Sequence, residues 1–186
     1  MHHFRPFLPG VATVAVVFGL VAPAHAANDY FLEVEGMAGE SQNQQFAHTI
    51  DVSSYSWGAS RDNKPQLQNF QVSKNLDLAS PALFRALAQG TTVPSAELIG
   101  VRTGSETSQV FVRYCLQNVR VASIQQSGQG EDPQPSENVS FSYGAFSEQY
   151  STQKADGTID QTVFAGWNLN TGLLIQTYPG NCGGPL

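Results

Sequence analysis

Residues 140–172 read SFSYGAFSEQYSTQKADGTIDQTVFAGWNLNTG, and this stretch decides the fold class. Apolar side chains recur at every second position on both sides of the sequence KADG at 154–157, as they do in half-buried strands. Gly157 ends that short polar run and supplies the positive φ that a tight turn requires. The stretch therefore predicts an antiparallel hairpin with its turn at 154–157.

The same alternation recurs along the chain. Further strands are predicted at 29–35, 48–59, 69–75, 96–103 and 109–124, a last apolar run at 173–178, and loops at 36–47, 60–67 and 127–136. Within 109–124 the apolar residues change from even to odd positions, so we expect a bulge or bend near Gln117 and Asn118.

One helix is predicted after the strand at 69–75. Ser80 is a suitable N-cap, the proline that follows it suits the first helical position, and Gly90 suits the position after the last turn. Leu83, Phe84 and Leu87 fall on one face, which we expect to pack on the strands. Seven or eight strands with one helix predict a mainly β protein, either a small β-barrel or a two-sheet sandwich with one α-helix.

The first 26 residues match the pattern of a signal peptide. A short basic region precedes the apolar run VATVAVVFGLV at 11–21, and Ala24-His25-Ala26 is a small-x-small cleavage site. The run is shorter than the roughly 20 residues that span a bilayer. We predict cleavage after Ala26 and a mature chain at 27–186, folded as a single domain with a C-terminal tail at 172–186. The protein is then exported, periplasmic or secreted, with no membrane insertion after cleavage.

Charge excludes some partners. Removal of the leader takes away Arg5 and leaves eight basic residues against fifteen acidic ones, with the basic residues scattered along the chain. Nucleic acids and anionic membranes are bound through clusters of positive charge. We therefore expect no nucleic-acid partner and no membrane-surface partner.

The chain has two cysteines, Cys115 in a predicted strand and Cys182 in the Gly-rich tail. An even number of cysteines in an exported protein favours a disulfide, which here would hold the tail against the sheet. Two free thiols, or a bond between subunits, are the alternatives that the sequence leaves open.

Residues for a reaction centre are scarce. His48 is the sole histidine after the leader, and Asp51 falls on the opposite side of the same strand, so a Ser-His-Asp arrangement is not indicated. Glu33 and Glu35 alternate with apolar residues, as a solvated strand face does. The segment that contains Asp156 and Asp160 is too short to match a calcium-binding loop. The sequence also has none of the Cys and His spacings typical of a zinc site. We predict no catalytic, cofactor-binding or metal residues.

Several short segments, taken in order, resemble the haemolysin-coregulated protein (Hcp) family, the tube protein of bacterial type VI secretion. They are DYFLEVEG at 29–36, GES at 39–41, IDV at 50–52 with YSWG at 55–58, SK at 73–74 with D77, ASP at 79–81 and L83, and QKADG at 153–157 with AGWNL at 165–169. The resemblance covers roughly residues 29–171, which is most of the mature chain.

The resemblance implies a small β-barrel with one helix and a structural role rather than an enzymatic one. It implies that copies of the chain form hexameric rings that stack into a tube, and that secreted effector proteins are carried or bound. Because of the leader, we expect such a protein to act outside the inner membrane. The alternative hypothesis is a secreted β-sandwich module that binds glycans or peptides, since its strands carry Tyr and Trp.

Overall fold

The computed structural model describes residues 27–103, 108–154, 156–180 and 182–183. The predicted signal peptide and its cleavage site lie outside the described residues, as does Ala155 of the predicted turn. Within these ranges the elements are β1 Ala27–Val34, β2 Ile50–Val52, β3 Ser54–Ser56, β4 Ala59–Arg61, β5 Pro65–Leu67, β6 Phe70–Asn75, α1 Ser80–Gln89, β7 Val93–Thr103, β8 Gln109–Ser127, β9 Ser136–Ser142, β10 Ala145–Gln153, β11 Ile159–Asn168 and β12 Leu173–Leu174. The mainly β prediction with one helix is confirmed.

The long strand β8 belongs to two arms of one bent ten-stranded sheet. One arm has the order β12-β11-β10-β8-β7-β1-β2, and the other arm runs from β3 through β6 and β9 to β8. A separate ribbon of β4 and β5 occupies the segment predicted as a loop at 60–67. The described strands do not close into a barrel. Of the two predicted architectures, the structure has the two-sheet sandwich rather than the small β-barrel.

The predicted bend in β8 is confirmed at Asn118. This residue has a φ of 52°, in the left-handed region that asparagine tolerates. Before it, Gln117 pairs with Ala145 of β10; after it, Arg120 pairs with Ser142 of β9. The bend therefore lets one strand serve both layers, and the change of apolar phase in the sequence marks that crossover.

The stretch at 140–172 contains a break that the sequence did not predict. β9 ends at Ser142 and β10 begins at Ala145, because the chain steps from one layer to the other at Gly144. The Gly144 N–H donates to the Gln117 carbonyl at 2.9 Å, beside the bend in β8. The hairpin proper is β10 with β11, and its turn has Gly157 at a φ of 84°, as predicted.

Helix α1 begins one residue earlier than predicted. Ala79, not Ser80, is the N-cap, and the Ser80 hydroxyl accepts a hydrogen bond from the Asp77 N–H at 3.1 Å. Gly90 ends the helix with a φ of 63°, as predicted. Leu83 is buried, but Phe84 is 62% exposed, so its predicted core role is wrong. The helix is turned to bring its small and branched residues, rather than Phe84, onto the sheet.

The main core fills the space between the two layers and the helix. Its members come from both layers and from the helix, and they include Leu32, Val34, Ile50, Phe70, Val72, Leu83, Leu98, Tyr114, Leu116, Val139, Phe141 and Phe146. A second small cluster lies on the opposite side of β1 and β7. There Phe46, from the predicted polar loop at 36–47, stacks on Phe31 with ring centroids 4.7 Å apart. That loop therefore covers part of the sheet.

Candidate functional surfaces

The residues considered for catalysis are not assembled into a reaction centre. His48 is exposed, with a φ of 64°, and Asp51 is exposed on the neighbouring strand. Glu35 accepts a hydrogen bond from the Ser95 hydroxyl at 3.0 Å. Burial and the nearby Glu97 carboxylate raise the pKa of Glu33. Within the ranges that the structure describes, no group of three or more His, Cys, Asp or Glu side chains is arranged to hold a metal ion.

A buried polar cluster lies where β6, β9 and the start of α1 meet. The Lys74 ammonium group lies 2.9 Å from Glu137 Oε2 and 2.7 Å from Asp77 Oδ1, and the Lys74 and Glu137 side chains have no exposed surface. Ser80 Oγ donates to the same Glu137 oxygen at 2.8 Å. The cluster therefore ties the helix start to two strands that are far apart in sequence.

This cluster stabilises the fold and does not form a Ser–Lys nucleophile. Lys74 Nζ does lie 3.0 Å from Ser80 Oγ, the spacing of such a pair. However, Lys74 Nζ is the donor to Ser80 and to two carboxylates, and the Ser80 hydroxyl itself donates to Glu137 Oε2, so its proton is not directed at the amine. Burial alone would raise the pKa of Glu137, but the hydrogen bonds from Gln126, Lys74 and Ser80 outweigh it and lower that pKa.

The outward side of the smaller layer is an uncharged polar surface, here called the neutral face. Arg120 of β8 pairs with Ser142 at one end of this side and marks its charged border. Away from that border, eleven residues that point away from the core on β3, β6, β9 and β8 are Ser, Asn or Gln. They are Ser54, Ser56, Gln71, Ser73, Asn75, Ser123, Gln125, Ser127, Ser136, Asn138 and Ser140. Cross-strand hydrogen bonds order part of this surface, including Ser73 to Asn138 at 2.6 Å and Ser123 to Ser140 at 2.6 Å.

Two features make the neutral face unusual for this chain. The whole sequence has a net charge of −6, yet none of these eleven side chains ionises. Of the charged residues on these strands, Lys74 and Glu137 point inwards and are paired there, whereas Arg120 is exposed at the border of the face and donates to the Thr92 hydroxyl. The surface cannot be recognised in the sequence, because its members come from four strands that are widely separated along the chain.

A second surface, here called the hairpin surface, surrounds β11. Six large apolar or aromatic side chains in this region are 37–65% exposed: Tyr150, Ile159, Val163, Phe164, Leu173 and Leu174. β12 pairs only with Trp167 and Asn168 of β11, and no described strand pairs with residues 159–165 on that side. Such an edge presents unpaired N–H and C=O groups next to apolar side chains, which favours association with another chain.

The C-terminal segment crosses the outer side of the larger layer. Residues 173–183 are here called the strap, of which Asn181 lies outside the description. Cys182 forms a disulfide with Cys115 of β8, with Cα atoms 5.7 Å apart, so the structure contains the predicted bond within one chain. The Tyr178 hydroxyl donates to Glu97 Oε1 at 2.6 Å, and Arg113 contacts the other oxygen of Glu97 at 2.9 Å.

These features define a class of protein. It is a mainly β protein whose distinctive parts are surfaces and an exposed strand edge rather than a reaction centre. Over the described part of the chain, no helix has the length and apolar character needed to cross a membrane.

Comparison with known proteins gives the family. The family described as "Type VI secretion system effector, Hcp" matches residues 31–150. Protein hcp1 of Pseudomonas aeruginosa is 30% identical over 155 residues, which cover 77% of this chain and 96% of that protein. The crystal structure of Hcp1 from Salmonella typhimurium superposes with a TM-score of 0.72 at 26% identity, covering 80% of this chain and 99% of that one. The structure of a type six secretion system protein gives a TM-score of 0.75 at 27% identity, covering 80% of this chain and all of that one.

The chain belongs to the Hcp family, as the resemblance of its short segments indicated. Hcp is a family of structural tube proteins of type VI secretion rather than a family of enzymes. The strap lies beyond the matched residues 31–150, and a fifth of this chain lies outside the superposition on Hcp1 of Salmonella typhimurium.

Proposed function

We propose that the mature chain is a non-enzymatic structural subunit that assembles with copies of itself into a hexameric ring. Membership of the tube-protein family supports this proposal, and the hairpin surface is the observation that carries it. An unpaired edge beside exposed Val163, Phe164 and Ile159 is a liability in an isolated subunit. A head-to-tail ring covers such an edge on every copy, because each subunit places its edge against the next and the ring closes.

We propose further that secreted effector proteins contact the neutral face. A carrier surface that meets different cargoes benefits from carrying no charge, because a charged surface would repel cargo of the same sign. Ser, Asn and Gln side chains still offer hydrogen-bond donors and acceptors to a passing chain. The neutral face is also free of large apolar side chains, which suits a surface that stays in contact with water.

We propose that this assembly takes place outside the inner membrane. The leader pattern at 1–26 supports export, and the Cys115–Cys182 bond supports it independently. Disulfides persist in oxidising compartments such as the periplasm and the extracellular space, and they are rare in the cytosol. Both observations favour a periplasmic or secreted location for a subunit of this type.

A secreted module that binds neutral glycans is a second candidate, and the neutral face is the observation that favours it. Hydroxyl and amide groups suit a ligand that is rich in hydroxyls and carries no charge. A monomeric protein that binds neutral glycans on an array would favour this candidate over the ring. A ring without glycan binding would exclude it.

Chemical labelling distinguishes the two surfaces in one experiment. Both native cysteines are in the disulfide, so a single introduced cysteine provides the only free thiol. In the concentrated protein, the thiol of Val163→Cys on the hairpin surface should react with a maleimide at least tenfold more slowly than in dilute protein. The thiol of Gln71→Cys on the neutral face should react at the same rate in both. Equal rates for Val163→Cys would contradict the ring contact, and slowing of Gln71→Cys would contradict the open neutral face.

A further inference from the structure

The strap lies along one row of the larger layer. Cross-strand pairing places Glu33, Glu97, Cys115, Ser147 and Gly166 directly beside one another on five neighbouring strands. Residues paired in this way share one side of a sheet. Here they share the side opposite the main core.

Contacts of the strap follow that row from end to end. At its start the Ile175 N–H donates to the Gly166 carbonyl at 3.0 Å, and in the middle Tyr178 bonds to Glu97. At its end the Gly183 N–H donates to the Ser95 hydroxyl at 3.1 Å. Gly183 has a φ of 89°, and a Cβ there would lie 2.6 Å from a Glu33 carboxylate oxygen, so this end fits closely against the sheet.

Besides the disulfide, the strap is held by the pairing of β12 with β11 and by single hydrogen bonds at Ile175, Tyr178 and Gly183. None of its described residues belongs to either apolar core cluster. Leu173 and Leu174 are both 65% exposed, and residues 175–180 are half-buried or exposed. Ser147 beneath it is buried, and its hydroxyl has no hydrogen-bond partner. The strap is therefore a separable element, and a covalent bond supplies much of its attachment.

We propose that the strap is a redox latch, closed over this row while Cys115 and Cys182 are joined and open when a dithiol reductant separates them. Cys115 has no exposed surface and Cys182 is 8% exposed, so Cys182 is the less buried of the two and its sulfur is the expected target. A thiolate of the reductant attacks that sulfur, and Cys115 leaves as a thiolate that takes up a proton. The second thiol of the reductant then displaces Cys182 as a thiol, and the reductant departs as a disulfide. The two protein thiols hold the two electrons that the reductant has lost.

The open state differs from the closed state at named places. The strap leaves the sheet, β12 included, and Glu97 loses Tyr178 but keeps Arg113. The hydroxyl of Ser147 gains access to water. The other strands of this layer keep their pairing, because the main core lies on the other side of it. The latch does not depend on ring formation.

Hydrogen exchange read by mass spectrometry tests the latch on the full mature protein, with and without a dithiol reductant. Reduction should speed exchange in peptides covering 173–183 at least tenfold and leave peptides covering 112–116 of β8 unchanged. The double variant Cys115→Ser/Cys182→Ser should show the same pattern without reductant. Thiol counting by mass confirms that the bond has been opened.

Two results would overturn the proposal. If the reduced protein keeps the slow exchange of 173–183, non-covalent contacts alone hold the strap and the disulfide does not act as a latch. If exchange instead becomes fast throughout the sheet, the bond is needed for the whole fold and the strap is not separable. Far-UV circular dichroism of the double variant distinguishes that second case from local release.

Discussion

At the scale of single residues, Lys74 is the centre of the buried polar cluster. Its ammonium group donates to Glu137, Asp77, Ser80 and the Asn75 carbonyl, and none of its side chain is exposed. Charges buried in this way are tolerated only when they are paired and hydrogen-bonded. The cluster therefore fixes the start of α1 against β6 and β9.

Lys74→Met should lower the free energy of unfolding by about 3–5 kcal/mol, because it leaves two buried carboxylates without their counter-ion. Urea unfolding followed by circular dichroism measures the change. Lys64→Met is the matched control, since Lys64 is exposed, and it should stay within about 0.5 kcal/mol of wild type. A loss below about 1 kcal/mol for Lys74→Met would contradict the assigned role.

The same cluster predicts a dependence on pH. The pKa of Glu137 is lowered from its ordinary value of 4.5 in the folded protein. Its contribution to stability is therefore full above pH 4.5 and is lost as pH falls below that value through the lowered pKa. The difference in unfolding free energy between wild type and Glu137→Gln should be largest near neutral pH and should narrow below pH 4.5. A difference that stays constant between pH 7 and pH 3 would refute the assignment.

At the scale of elements, the end of α1 depends on the backbone of Gly90. Its φ of 63° suits glycine, and nothing lies within 4 Å of the position that a Cβ would take. Gly90→Ala should therefore cost about 1 kcal/mol through the backbone alone. Gly130→Ala provides the control, because Gly130 also has open space around it but no positive φ. Equal unfolding midpoints for the two variants would contradict this account.

Much of the element pattern was predictable from local chemistry. The turn at Gly157, the helix end at Gly90 and the bend at Asn118 each depend on a short-range rule about backbone conformation. The division between β9 and β10 was not predictable, because Phe141, Tyr143 and Ala145 keep the same alternation across it. The orientation of Phe84 was missed because helical periodicity does not say which side of a helix meets the sheet.

The surfaces were harder to predict than the elements. Lys74 and Glu137 are 63 residues apart, and charged residues in strands are usually exposed. The neutral face and the hairpin surface both arise from strand order, which sets residues from distant segments side by side. The pairing of Cys115 with Cys182 was predictable as chemistry, but the path of the strap over the sheet was not.

At the scale of the whole molecule, the two surfaces have different proposed roles. The hairpin surface combines an unpaired edge with exposed apolar side chains, which suits contact with a neighbouring copy. The neutral face carries no large apolar side chain, which suits a surface that stays open. The strap lies on a third side and begins beside the end of β11. Self-assembly through the hairpin surface is the central claim.

Native mass spectrometry of the mature protein, with its disulfide intact, tests that claim most directly. The mass under native conditions should be about six times the mass of the same chain under denaturing conditions, as expected for a closed ring of identical subunits. Dilution should yield single subunits without intermediate open chains of growing length. A mass equal to that of one chain at high concentration would contradict the account.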